Sequence, residues 1–205
     1  MKFKIGECSV CISGSFFALV TFILLLNDST IALISLFSAL SHESGHILAM
    51  IFLGGRIKSL VFSATGISLE KSDETSFSYE GEIILSLAGI AVNGVLSVLF
   101  AVLYRFYGNT VLRDIALVNM LVGGFNLLPI ETLDGERVFH CLLLKNISRE
   151  MADKISFAVS VATIISLIAV GAVISFYAKT NYSLIIVTLY LIILLINHII
   201  ELKKS

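Results

Sequence analysis

Leu40-Ser41-His42-Glu43-Ser44-Gly45-His46-Ile47 is the stretch on which the reading of this chain turns. It has the form His-Glu-x-x-His, and it lies inside the apolar run Thr30–Leu53. On a helix, His42 and His46 stand four residues apart and project from one face. Two imidazoles so placed can share a zinc ion. Glu43 adjoins the first of them and can take a proton from a water that the metal activates. His42 falls midway along the apolar run, near the centre of a membrane span. Ionisable groups are costly at that depth and mark functional sites by default.

The surrounding composition is that of a membrane protein. Of 205 residues, 57% are hydrophobic and 14% charged, with a mean hydropathy of +0.98. Soluble domains carry about 25% charged residues. The net charge of −1 offers no surface for nucleic acid. Spans need about 20 apolar residues, and six such runs are read: Val10–Leu26, Thr30–Leu53, Glu82–Tyr104, Val111–Leu128, Ile155–Tyr177 and Ser183–Ile200. With the N-terminus in the cytoplasm, eleven of the fourteen Lys and Arg residues fall on that side. Both termini are therefore expected to be cytoplasmic. The segments Ile57–Ser63 and Gly66–Glu70 have strand composition around a turn at Ala64-Thr65-Gly66, so a short β-hairpin is expected after the second span. The expected fold is all-α and polytopic, one membrane-embedded domain of about six helices plus that hairpin. Cys8-x-x-Cys11 has no second pair and reads as two small residues at the membrane edge.

A catalytic zinc site takes three protein ligands. His140 and His198 lie near predicted membrane boundaries and read as surface histidines. The carboxylates of Glu131 and Asp134 are better placed. Pro129, the single proline, removes a backbone donor and should break the fourth span. Broken backbone at membrane depth is tolerated only where protein or water satisfies it. Such a break can carry a carboxylate to a metal on a neighbouring helix. An Asp before Gly135 also suits a helix cap, and both carboxylates stay open on this reading. Asn93 and Asn126 lie within spans and need partners there.

These residues together resemble the site-2 protease family of intramembrane zinc metalloproteases. The resemblance rests on His42-Glu43-Ser44-Gly45-His46, on Asn126-x-x-Pro129 and Leu133-Asp134-Gly135 downstream, and on Ala88-Gly89-Ile90-Ala91-Val92-Asn93. In the last, Ile90 stands where the family has proline, and Glu136 stands where a glycine often follows the Asp-Gly pair. The resemblance covers roughly residues 30–140, leaving 1–29 and 153–205 as accessory helices. It implies that His42, His46 and Asp134 hold one Zn2+, that Glu43 is the general base, and that Asn126 and Asn93 line the site, where Asn126 could donate to an oxyanion or instead satisfy carbonyls freed by Pro129. It also implies a membrane-anchored protein substrate cut in or near its transmembrane segment, in a bacterial cell membrane. The layout resembles the bacterial branch related to the sporulation factor IVB-type protease. The alternative is an inactive scaffold of the same fold that binds single-span proteins.

Overall fold

The computed structural model describes residues 2–5, 8–13, 21, 29–63, 66–71 and 76–178. The expected sixth span and most of the first lie outside these residues. The chain divides into two compact units, Met1–Leu127 and Leu128–Ser205.

The first unit begins with two strands, β1 (Lys2–Ile5) and β2 (Cys8–Ile12). Here the structure corrects the reading of a membrane helix from Val10. Val10 pairs with Leu60, and β2 runs parallel to β3 (Ile57–Ser63). β3 is antiparallel to β4 (Gly66–Lys71), so an isolated hairpin gives way to a four-stranded sheet in the order β1-β2-β3-β4. Lys2-Phe3-Lys4-Ile5 alternates polar and apolar residues, a period-two signal that the long hydropathy of the following run overrode.

Three helices complete this unit: α1 (Ser29–Phe52), α2 (Tyr79–Tyr107) and α3 (Thr110–Asn126). On α1 the buried residues are Ile34, Ser38, His42, Gly45, Ala49 and Met50, one stripe at helical spacing. On α2 the matching stripe is Gly81, Leu85, Gly89 and Asn93. Met50, Leu85 and Ala49 form an apolar core at one end of this pair. Ser78 caps the start of α2 by accepting from the Gly81 N–H, and Gly108 ends it in the left-handed conformation with φ 67°. α3 stops at Asn126, just before Pro129, as a missing N–H and the restricted residue ahead of proline require.

The second unit holds α4 (Asp134–Leu144) and α5 (Arg149–Ala178). Ala152, Ser156, Ser160 and Ile164 form the buried stripe of α5. Thr163 and Ser166 instead turn back onto the carbonyls of Val159 and Ala162. The link from α3 to α4 is pinned twice. Ile130 is fully buried, and the Glu131 N–H donates to Ser160 Oγ at 3.1 Å. Thr132 has φ 80°, a left-handed backbone that β-branched residues seldom adopt.

Among the described residues, three helices are long and apolar enough to cross a membrane: Thr30–Phe52, Tyr79–Tyr107 and Arg149–Ile174. Their outer faces are apolar and open. Phe106 is 79% exposed and Val95 67%. An apolar surface of this kind suits lipid rather than water. The expected fourth span is the 17-residue α3, shorter than a typical bilayer crossing.

Candidate metal centre

The α1 and α2 stripes meet backbone to backbone. A Cβ on Gly45 would lie 2.6 Å from the Ala88 carbonyl oxygen. That proximity sets both imidazoles of α1 against α2. His42 Nδ1 is 2.6 Å from Asn93 Oδ1, and His46 Nδ1 is 2.8 Å from the Leu85 carbonyl oxygen.

The partners fix the tautomers. A carbonyl only accepts, so His46 carries its proton on Nδ1. Asn93 Nδ2 donates to the Ser38 carbonyl at 3.2 Å and to Asn119 Oδ1 at 2.9 Å. That leaves Oδ1 to accept, and His42 also carries its proton on Nδ1. Asn119 is oriented in turn by donating to the Ile115 carbonyl at 2.9 Å. Ser38 Oγ donates to Asn119 Oδ1 at 3.1 Å. Ser38, Asn93 and Asn119 are all fully buried. This closed network lies behind His42, in the place where metal-binding histidines commonly find a second partner.

Both Nε2 atoms are then lone-pair donors, and they face each other at 3.1 Å. Tetrahedral zinc with Zn–N near 2.05 Å would separate two ligand nitrogens by about 3.3 Å. The space between them is kept clear by Gly89, where a Cβ would sit 2.7 Å from His46 Nε2 and 2.8 Å from His42 Nε2. Asp134 is the first residue of α4, in the second unit, and offers a carboxylate oxygen. Two imidazole nitrogens and a carboxylate oxygen form a donor set of the kind catalytic zinc takes. The residue that caps α4 is Leu133, without a side-chain bond, so the capping role open to Asp134 in the sequence falls to its neighbour.

The remaining expected site residues are placed as follows. Glu43 is half-buried beside His42 on α1. Asn126 ends α3, and its Nδ2 donates to the Val122 carbonyl at 3.0 Å. Glu131 stays in the linker, with its N–H held by Ser160. His140 pairs with Asp153 at 2.7 Å. His198 lies outside the described residues. Ser38 and Asn119 were missed in the sequence. Their spacing to Asn93 exists only after three helices pack, although a polar residue inside an apolar span is a weak pointer to each.

No family model matches the sequence. A zinc metalloprotease of Methanocaldococcus jannaschii is 25% identical over 158 residues, which make up 75% of this chain. The chain spans 44% of that relative's length. Among solved structures, the site-2 protease from Methanocaldococcus jannaschii superposes with a TM-score of 0.63 at 22% identity, covering 93% of this chain and 91% of that one.

This chain has the site-2 protease fold.

Within the site-2 protease fold, two of the stretches quoted for the resemblance, His42–His46 and Ala88–Asn93, meet in the first unit. His42, His46, Gly89 and Asn93 touch directly, which four short sequence matches alone could not require.

Proposed function

We propose that this protein is an intramembrane zinc metalloprotease that hydrolyses peptide bonds in or near the transmembrane segments of membrane-anchored proteins, as in regulated intramembrane proteolysis. The observation that carries the reading is the pair of lone-pair nitrogens, His42 Nε2 and His46 Nε2, facing each other at 3.1 Å, with a glutamate next in sequence to the first histidine. In the proposed topology the chain crosses the bilayer several times and both termini are cytoplasmic.

His42, His46 and Asp134 would hold one zinc ion. Bound there, zinc supplies Lewis acidity, bringing the pKa of water to about 7 and polarising a carbonyl oxygen. Glu43 accepts the proton of the attacking water on a carboxylate oxygen and passes it to the leaving amide nitrogen. Asn93 and the Leu85 carbonyl keep both imidazoles in the Nδ1–H form that leaves Nε2 for the metal. Asn126 has a second Nδ2 hydrogen beyond its bond to Val122, and that hydrogen is offered to the oxyanion. A helical substrate must be unwound before its carbonyl is reachable. The outer edge of β4 carries no further strand among the described residues, and an extended substrate segment can add there.

The test is Glu43→Gln. It is expected to keep a full complement of zinc while lowering cleavage of a co-expressed single-span protein by about 100-fold or more, the scale of a lost general base. Cleavage at the wild-type rate would overturn the reading and leave the inactive scaffold.

A further inference from the structure

The second unit contains a cavity of about 360 Å3 between α4 and α5, lined by Glu131, Glu136, His140, Asp153, Ser156 and Ser160, with Phe157 as an apolar wall. We infer that this cavity receives a basic side chain, a lysine or an arginine, that flanks the transmembrane segment of a bound protein. The partner class rests on the proposed function.

Charge complementarity is the first argument. Three carboxylates line the cavity, and among the described residues no lysine or arginine does. Asp153 is engaged by His140. Glu136 is half-buried and makes no hydrogen bond or ion pair with the described residues. A partly desolvated carboxylate without a cation is costly unless something supplies one. The second argument is independent of charge. Ser156, which lines the cavity, is only 5% exposed, and its buried Oγ has no partner among the described residues. Buried polar atoms are nearly always satisfied, so an orphan on a cavity wall points to a missing donor or acceptor. An ammonium offers three N–H donors and a guanidinium five. Carboxylates and a serine oxygen are acceptors for both, and Phe157 adds apolar lining against which an aliphatic stem can pack.

The cavity does not have the geometry of a metal site. Its His, Asp and Glu donors do not form a group that converges on one point among the described residues. The cavity donors are spread out, as the several hydrogens of an organic cation need. The volume lies at the small end of ligand cavities, about 300–1,000 Å3, which suits one side chain. The location fits as well. Asp153, Ser156 and Ser160 belong to the first turns of α5, whose candidate span begins at Arg149. In the proposed topology that end is cytoplasmic, and the cytoplasmic flanks of transmembrane segments are rich in lysine and arginine. The Glu136 found where a glycine often follows the Asp-Gly pair thereby gains a role.

The experiment measures binding without cleavage, using Glu43→Gln protein in lipid nanodiscs. The probes are two labelled synthetic peptides that share one apolar transmembrane segment, one flanked by lysines and the other by glutamines. The lysine-flanked peptide is expected to bind about tenfold tighter, the scale of one charge-assisted contact, and added salt should shrink the difference. Adding Glu136→Gln and Asp153→Asn should abolish the preference and leave the affinity for the glutamine-flanked peptide in place, with zinc content unchanged. Glu136→Lys should turn the preference toward a glutamate-flanked peptide. Equal affinity for the first two peptides, or equal loss of both in the double variant, would overturn the inference. If the variants fail to fold, the comparison of peptides and its salt dependence still decides. Cleavage by the otherwise wild-type protein separates the two claims: cleavage indifferent to the flanks removes the cavity's role and leaves the protease, while a lysine preference without any cleavage does the reverse.

Discussion

Asn93 is a fully buried amide on a helix that is otherwise apolar, and its four hydrogen-bonding positions are largely used. Replacing it with alanine removes the acceptor of the His42 Nδ1–H and two donors of the Ser38–Asn119 network. Asn93→Ala is expected to weaken zinc binding by about 10- to 100-fold, read from competition with a chelator of known affinity. Asn93→Asp keeps the acceptor and should lose less. Gly89 makes a different point at the same scale. Alanine is the better helix former by about 1 kcal/mol, yet its Cβ would occupy the gap between the two Nε2 atoms. Gly89→Ala is therefore expected to keep full helix content by circular dichroism while losing most bound zinc. A variant that binds zinc normally would show that the imidazoles can be pushed aside at little cost. The histidines and Glu43 could be read from the sequence because their chemistry is improbable in a lipid span. Ser38 and Asn119 could not, because a lone serine or asparagine says nothing until the helix facing it is known.

At the scale of elements, the linker from α3 to α4 is where local sequence rules do most to place Asp134. Pro129 ends one helix, Ile130 anchors the turn, and Thr132 spends a strained residue so that α4 can start at Asp134. Ser160 on α5 holds that turn through the Glu131 N–H. Ser160→Ala leaves this backbone donor without its acceptor, at a cost of about 1–3 kcal/mol. The expected result is a lower thermal midpoint, together with faster zinc release as Asp134 loses its support. The break at Pro129 was legible because proline acts through covalent geometry. The residues alone did not separate Glu131 from Asp134, since both carboxylates lie a few residues beyond the break; only the family resemblance ranked Asp134 first. The strands at Lys2–Ile5 and Cys8–Ile12 were hidden for another reason: β2 is held by β3, some fifty residues away, and the pairing leaves no local mark beyond a short alternation.

For the whole molecule, apolar outer faces and long helices make the membrane assignment, while the direction of insertion rests on the distribution of lysine and arginine. Reporter fusions at each terminus, one active only in the cytoplasm and one only outside it, should both report cytoplasm. An external signal from either terminus would reverse the proposed topology and the sidedness of the α4–α5 cavity with it.

Gly45 presses against the carbonyl of Ala88 without any intervening side chain. A joint of that kind has no rotamers to reshuffle, so α1 and α2 cannot slip by small steps. The histidine pair is expected to stay with both helices if either moves. On the proposed function, a way in for the substrate is then expected from parts of the protein that move around this joint without prising it apart.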